Sequence, residues 1–350
     1  MSGTSLDGLD LVLAAFTPRV DAWSWEILQA VTHPYPPRWK KALEQAPRMD
    51  GASLLLLHKE YGRYLGEEVS VFLREAPAPP FVIASHGHTV YHRPEEGLTF
   101  QLGDGHGIAA ATGLPVVWDL RSGDMALGGQ GAPLVPAGDR LLFGEYDYCL
   151  NLGGFSNISF EEEGRRLAFD ISPVNLAMQH ITRPLGMEYD RDGETGSRGT
   201  VHHPLLEELE QLDYYRQPPP KSLGREWLEA VFLPILDRYT LPPADKLRTL
   251  YEHIARRICS HIAADAGKKV LVTGGGAHNR FLVTLLKEKC RAAIIIPGTE
   301  LVDYKEALIF ALLGLLRLLG QPNTLASVTG AGRDACSGVV TELGVMRDER

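Results

Sequence analysis

Three glycine-rich turns joined to β-rich apolar runs constrain this chain more than any other feature: GTSLDG at 3–8, NLGGFSN at 151–157 and GGG at 274–276. Ordering glycine costs more backbone entropy than ordering any other residue, so three in a row between a strand and a helix need a reason. One reason is close approach of a ligand to backbone N–H groups at a helix N-terminus. The first turn has no Lys after its glycine and leads into a strand, so it is neither a Walker A loop nor a dinucleotide fingerprint. Its Gly, Ser and Thr groups offer donors to phosphate, and Asp7 or Asp10 would hold Mg²⁺. A plain hairpin turn accounts for any one of these segments. Three in one chain point to a nucleotide.

Between the turns, short apolar runs alternate with helical periodicity. Strands are expected at 9–16, 81–84, 98–102, 114–118, 146–152, 156–160, 165–170 and 269–273. Helices are expected over 39–73, broken at Met49-Asp50-Gly51, and over 106–112, 224–239, 244–266, 279–290 and 306–319. That alternation is an α/β pattern. GGQGAP at 128–133 predicts a hinge, dividing the chain into lobes 1–132 and 133–350, with small polar turns on both sides of it. The loop 186–200, punctuated by Gly193, Gly196 and Gly199, is expected to be mobile or functional.

With 350 residues, 44% hydrophobic and 23% charged, the chain can bury a sizeable core. Its net charge of −9 argues against a nucleic-acid face but permits a local anion pocket built from backbone groups. Cys149, Cys259, Cys290 and Cys336 form no CxxC pair and are expected to be buried thiols of a reducing compartment. No apolar run reaches the ~18 residues of a membrane span, and no basic, apolar leader opens the chain. A soluble cytoplasmic protein without a membrane partner is the expectation.

Asp170 closes the strand expected at 165–170, two residues before a helix start expected at Ser172 and Pro173. The positive end of that helix would keep the carboxylate ionised, as a base acting on water or a hydroxyl requires; a plain capping aspartate gives the same pattern. Glu306 opens a nearly uniform apolar helix, meeting its dipole or facing a ligand. His86, His88 and His92 in SHGHTVYH have zinc-like spacing, but no second cluster completes a site, so polar ligand contacts are expected and no metal ligand is assigned. His202-His203 reads as a solvated pair, and Pro218-Pro219-Pro220-Lys221-Ser222 as a stiff linker.

Together with these residues, MSGTSLDGLD (1–10), FQLGDG (100–105), WDLRSGD (118–124), GGQGAPLVP (128–136), FDISPVN (169–175), YDRDG (189–193), PPKSLGREW (219–227), VTGGGAHN (272–279), KEALIFALLG (305–314) and SVTGA (327–331) stand in order along nearly the whole chain. The sequence closely resembles the anhydro-N-acetylmuramic acid kinases of the sugar kinase and actin superfamily. MSGTSLDG with GGQGAPLVP carries most of that resemblance. It implies two actin-like (ribonuclease H-like) lobes with ATP in a cleft between them, the C-terminal tail packing back on the first. Gly3, Thr4, Ser5, Leu6, Asp7, Gly8, Leu9 and Asp10 would form the first phosphate loop. Gly153, Gly154 and Asn157 would form the second, and Gly274, Gly275, Gly276 and Asn279 the adenosine loop. The implied reaction uses ATP, Mg²⁺ and water to convert 1,6-anhydro-N-acetylmuramic acid to N-acetylmuramic acid 6-phosphate and ADP, in cell-wall recycling. Asp170 would be the catalytic base, with His86, Thr89, Arg121 and Glu306 on the sugar side. The resemblance also implies a homodimer.

Three departures stand out. The family carries a short apolar strand ahead of MSGTS where this sequence has Met1, and a start further upstream is the expectation. The family's FDTGPGN reads FDISPVN, with Ile171, Ser172 and Val174 replacing a small residue and two glycines. His88 stands where glutamine is usual. These changes leave two alternatives: a kinase of the same superfamily acting on another sugar or a carboxylate, and a catalytically weakened ATP- or sugar-binding regulator.

Overall fold

The computed structural model describes residues 1–344 except Thr4, Ser5 and Asp7. The chain forms two compact units, one of residues 1–142 with 306 onward, the other of residues 143–305. The division falls at 142/143, ten residues beyond the expected 132/133. Its cause is the helix Val135–Leu142, which packs on a strand of the first unit. A side chain at Gly138 of that helix would lie 2.4 Å from Ile309 Cγ2, so the contact is close.

The first unit opens with the antiparallel hairpin β1 (Gly8–Arg19) and β2 (Ala22–Pro34). The sequence reading finds β1 and misses β2. The register slips between Leu13 and Ala14, and nearly every β2 residue is half-buried, so no clean alternation marks the strand. Met49-Asp50-Gly51 breaks the following helical stretch as expected, because the Asp50 carboxylate accepts from Ala52 N and Ser53 N and so starts the helix Gly51–Leu73. Next come β3 (Ile83–Ala84), β4 (His88–Arg93), β5 (Leu98–Leu102), the helix Gly105–Thr112 capped by Asp104, and β6 (Val116–Trp118). β3 pairs with β6 in parallel, the C-terminal strand Val339–Thr341 pairs with β6 antiparallel, and β4 pairs with β5. Leu9, Leu11 and Leu13 of β1 share a core with Trp39, Tyr61, Leu65 and Ile108.

A cavity of about 150 Å³ lies between β1 and β3, lined by Leu11, Leu13, Phe72, Ile83 and Phe310 among others, with Met1 also in its wall. Among the described residues no strand joins β1 to β3. Ser2 forms a single antiparallel bridge to Leu9.

The second unit is built on β7 (Tyr148–Leu152), β8 (Phe155–Glu162), β9 (Arg165–Pro173), β10 (Lys269–Thr273) and β11 (Ala293–Ile295). Their order is β11-β10-β7-β8-β9, with an antiparallel β7–β8–β9 meander and with β10 and β11 parallel to β7. This is the ribonuclease H-like sheet order, in which β7 links the meander to the parallel strands. Leu150, Ile158, Phe169, Ile171 and Val272 pack against helices that include Pro243–Cys259 and Arg280–Lys289.

Four expectations are corrected. Ser172 and Pro173 do not begin a helix: β9 runs through Pro173, the helix starts at Asn175, and Ser172 Oγ lies 3.3 Å from Ser156 Oγ across the sheet. Glu306 does not open its helix but lies more than a turn inside Thr299–Leu318. The segment 128–133 lies within the first unit and is pinned to the buried Asp124, whose Oδ2 accepts from Gly131 N at 2.8 Å and whose Oδ1 accepts from Thr329 Oγ1 at 2.8 Å. Cys259 and Cys290, 31 residues apart, form a disulfide, while Cys149 and Cys336 are free. Their helix-end positions bring the two Cα atoms to 5.2 Å, a proximity that spacing in the sequence does not reveal. Within the loop 186–200, Asp190 accepts from Thr195 N, Gly196 N and Tyr251 OH. No helix among the described residues is long and apolar enough to cross a membrane.

Removing Asp124 leaves the buried Gly131 amide without an acceptor and the Thr329 hydroxyl with only its longer bond to Leu325 O at 3.3 Å. Asp124→Ala is therefore expected to cost about 3 kcal/mol in chemical denaturation, and Asp124→Asn clearly less. Equal stability of Asp124→Ala and the parent would show that the 128–133 turn is not held this way.

Candidate active site

In the second unit, ladder pairing sets four polar residues in one row across four strands. Thr273 of β10 is opposite Asn151 of β7, Asn151 opposite Asn157 of β8, and Asn157 opposite Asp170 of β9. Directly opposed residues point to the same face of a sheet, so the row presents a line of polar groups. Thr273 is 1% exposed, and its hydroxyl has no hydrogen-bond partner among the described residues. Such an orphaned buried hydroxyl is costly, and a ligand is one thing that satisfies it.

Two glycine turns flank this row. Gly153 and Gly154 join β7 to β8, and their carbonyls accept from Asn175 N at 3.3 Å and Val174 N at 2.9 Å. The second turn is thereby fastened to the end of the strand that carries Asp170. In the triple glycine, Gly274 needs its freedom because its φ is +82° and a side chain would lie 2.4 Å from Asn151 Oδ1. Gly276 is packed, its absent Cβ 2.7 Å from Leu152 Cβ. Gly275 is exposed, and a side chain there would meet nothing nearer than Asn175 Nδ2 at 3.8 Å. Local packing therefore accounts for Gly274 and Gly276, whereas Gly275 leaves its backbone open to a ligand. Asn279 caps the helix Arg280–Lys289, its Oδ1 accepting from Leu282 N and its Nδ2 donating to Tyr251 OH and Asp190 O. Its side chain is committed within the fold.

Asp170 lies inside β9 rather than at a helix start, so no helix dipole holds it ionised. Burial instead raises its pKa to about 6, against the opposing effect of the Leu223 N–H, which donates to Oδ2 at 2.8 Å. Its Oδ1 makes no hydrogen bond to any described residue. A carboxylate with one oxygen fixed, the other open and a pKa near neutrality is suited to general-base work. The changed neighbours Ile171, Ser172 and Val174 are each 0% exposed, so their side chains are absorbed into the unit's interior.

The first unit gathers three of the four expected sugar-side residues. Arg121 donates from Nε and Nη2 to His86 Nε2, at 3.1 and 2.7 Å, and from Nη1 to Gly131 O at 2.8 Å. Arginine only donates, so His86 Nε2 is the acceptor and Nδ1 carries the proton toward Gly87 O at 3.0 Å. Burial, helped by the Arg121 charge, holds His86 well below the usual histidine range. Burial also pulls Arg121 down to about 10, opposed by the charge of Glu306. Thr89, opposite Gln101 in the β4–β5 ladder, makes no hydrogen bond to this group.

His88 takes a different course. Its Nδ1 lies 3.0 Å from Ser2 Oγ, which accepts from Tyr35 OH at 2.7 Å, and Tyr35 OH lies 2.6 Å from Tyr61 OH. This buried relay fastens Ser2, at the foot of the first glycine turn, to β4. No group of three His, Cys, Asp or Glu side chains fit for a metal gathers among the described residues. In the first turn, Thr4, Ser5 and Asp7 lie outside the described residues. Gly3 O accepts from Leu6 N, Leu9 is 3% exposed in the core, and Asp10 Oδ1 accepts from Thr32 Oγ1 at 2.7 Å. Gly8 is required by close approach, its absent Cβ 2.7 Å from His33 O.

The sequence reading did not single out Asn151, Thr273 or the relay through Tyr35. Asn151 lies within the quoted NLGGFSN, but only the ladder register shows that it lines up with Asp170.

Among solved structures, a ROK family glucokinase from Streptomyces griseus in complex with glucose and AMPPNP matches at 10% identity over 87% of this chain and 99% of its own, with a TM-score of 0.38. The activator of the 2-hydroxyisocaproyl-CoA dehydratase from Clostridium difficile, with bound ADPNP, matches at 13% identity over 62% and 84%, with a TM-score of 0.35. Component A of the (R)-2-hydroxyglutaryl-CoA dehydratase of Acidaminococcus fermentans matches at 15% identity over 50% of this chain, which spans 63% of that protein, with a TM-score of 0.33. A family model for anhydro-N-acetylmuramic acid kinase matches residues 1–342. With that match running from the first glycine turn to the C-terminal strand, the chain belongs to the anhydro-N-acetylmuramic acid kinase family.

Proposed function

We propose that this sugar kinase opens and phosphorylates 1,6-anhydro-N-acetylmuramic acid, giving N-acetylmuramic acid 6-phosphate and ADP. The observation that carries the reading is Asp170, a half-buried carboxylate with one oxygen held by Leu223 and the other without a hydrogen bond among the described residues, in the row beside the two glycine turns. Asp170 takes a proton from the water that attacks the anomeric carbon. The C1–O6 bond breaks, and the freed O6 attacks the γ-phosphate of ATP with ADP as leaving group. Water supplies the new anomeric hydroxyl and the phosphoryl group ends on O6, so atoms and charge balance.

Gly153 N already donates to Phe155 O and Gly274 N to Val302 O, so the nucleotide would be received by the other N–H groups of the 153–154 and 274–276 turns, with Gly275 the open position. Mg²⁺ would be held mainly by phosphate oxygens and water, with a carboxylate from Asp10 or from Asp7, which lies outside the described residues. Bound there, the ion would offset charge on the transferring phosphoryl group. On the sugar side, the Arg121–His86 pair, with its fixed proton, and Glu306 would orient the substrate.

Purified protein with Mg-ATP and the anhydro sugar should yield the 6-phosphate and ADP one for one; ADP without sugar phosphate, or turnover only with an ordinary hexose, would refute the reading. Because the base must be ionised, kcat should fall about tenfold per pH unit below pH 6. A flat kcat between pH 4.5 and 7 would remove Asp170 from that role.

Asp170→Asn should abolish turnover while nucleotide binding persists. It should also stabilise the protein. A carboxylate whose pKa is higher folded than unfolded binds its proton more tightly in the folded state, so stability falls as pH rises from about 4 to about 6 and the whole penalty persists above that window. Asp170→Asn should therefore gain up to about 3 kcal/mol at pH 7.5 and nothing near pH 4. Loss of stability at pH 7.5 would mean that the carboxylate is not under strain.

A further inference from the structure

β9 is the edge strand of its sheet, so among the described residues the outer side of Asp170 has no neighbouring strand. A downstream segment covers it. Tyr214 OH donates to Asp170 O at 2.6 Å, Asp170 N donates to Lys221 O at 3.2 Å, and Leu223 N donates to Asp170 Oδ2 at 2.8 Å. The Lys221 ammonium lies 4.8 Å from the ring centroid of Tyr214 and 5.7 Å from that of Phe169, and it donates to Tyr214 O at 3.3 Å. Backbone and side chain of one residue are therefore gripped from a stretch 44 to 53 residues away. Between the contacts stand Pro218, Pro219 and Pro220, which have no N–H to form a ladder and have φ already fixed. The segment makes a few chosen contacts where a full strand would make many, and it loses little entropy in holding that shape.

We propose that residues 214–223 form a positioning strap for Asp170: Tyr214 and Lys221 fix its backbone, and the Leu223 amide holds Oδ2 so that Oδ1 is the oxygen presented to the attacking water. The proposal rests on the reading of Asp170 as the base. It gives Tyr214 and the PPKSL segment a part in the reaction without contact with either substrate. The expected stiff linker is thus a tether for the residue on which the chemistry turns.

The test compares the parent with Leu223→Pro, which deletes the N–H, and Tyr214→Phe, which deletes the hydroxyl and keeps the ring. The Asp170 carboxyl is titrated by carbon-13 NMR, with Asp170→Asn identifying its signal, and kcat and KM are measured alongside. Losing a hydrogen bond that favours the charged form raises the pKa, so in Leu223→Pro the midpoint should move up by about one pH unit, a tenfold change in acidity. The acidic limb of kcat should move by the same amount, and kcat at neutral pH should fall about tenfold with KM for both substrates within about twofold. Tyr214→Phe, the milder change should Leu223→Pro misfold, should lower kcat about tenfold at unchanged KM.

A folded Leu223→Pro with an unmoved midpoint, or a Tyr214→Phe with parental kcat where Asp170→Asn has lost turnover, would overturn the strap. A midpoint that moves while kcat does not would leave the strap in place and remove Asp170 as the base, so the two readings fail separately.

Discussion

A carboxylate held inside a sheet is the constraint on which the second unit depends. Putting Asp170 in β9 costs solvation, and that cost keeps its pKa near 6 rather than near 4. The surroundings compensate only in part. One backbone amide serves one oxygen, and the other is left without a hydrogen bond among the described residues. A protein selected for stability alone would place a neutral or apolar group there. Keeping the acid suits a site where a proton must be taken up at the moment of reaction.

The sheet that imposes this cost also sets the neighbours. In the order β11-β10-β7-β8-β9, the GG and GGG turns both follow parallel strands, β7 and β10, and so come out at the same end of the sheet. Ladder register then sets Thr273, Asn151 and Asn157 in line with Asp170. The first unit uses other means: a histidine–arginine pair with a fixed proton, and a buried hydroxyl relay that fastens Ser2 to β4.

Much of this was legible in the chain. Gly274 and Gly276 declare a tight strand-to-helix turn because no other residue fits those positions, and Asp170 stands out inside FDISPVN. The same motif misled where local rules were followed alone. Ser-Pro after an aspartate reads as a helix start, yet the Ser156–Ser172 contact carries the strand onward, and the sign of the effect on Asp170 reverses. Contacts distant in sequence left no local signal. Tyr214 lies in an unremarkable stretch, the PPPKS run looks like a spacer, and Cys259 and Cys290 carry no motif. β2 was missed because half-burial along its length erases the alternation that identifies a strand.

The central claim is that water, activated by Asp170, opens the anhydro bridge, so the label carried by that water must end on the sugar. The reaction run in oxygen-18 water and quenched at early times by borohydride reduction, which stops exchange at C1, tests it directly. The account predicts one oxygen-18 at C1 of each sugar 6-phosphate, none in its phosphate group, and loss of product in Asp170→Asn. Oxygen-18 in released phosphate, or unlabelled sugar phosphate formed at the parental rate, would contradict it.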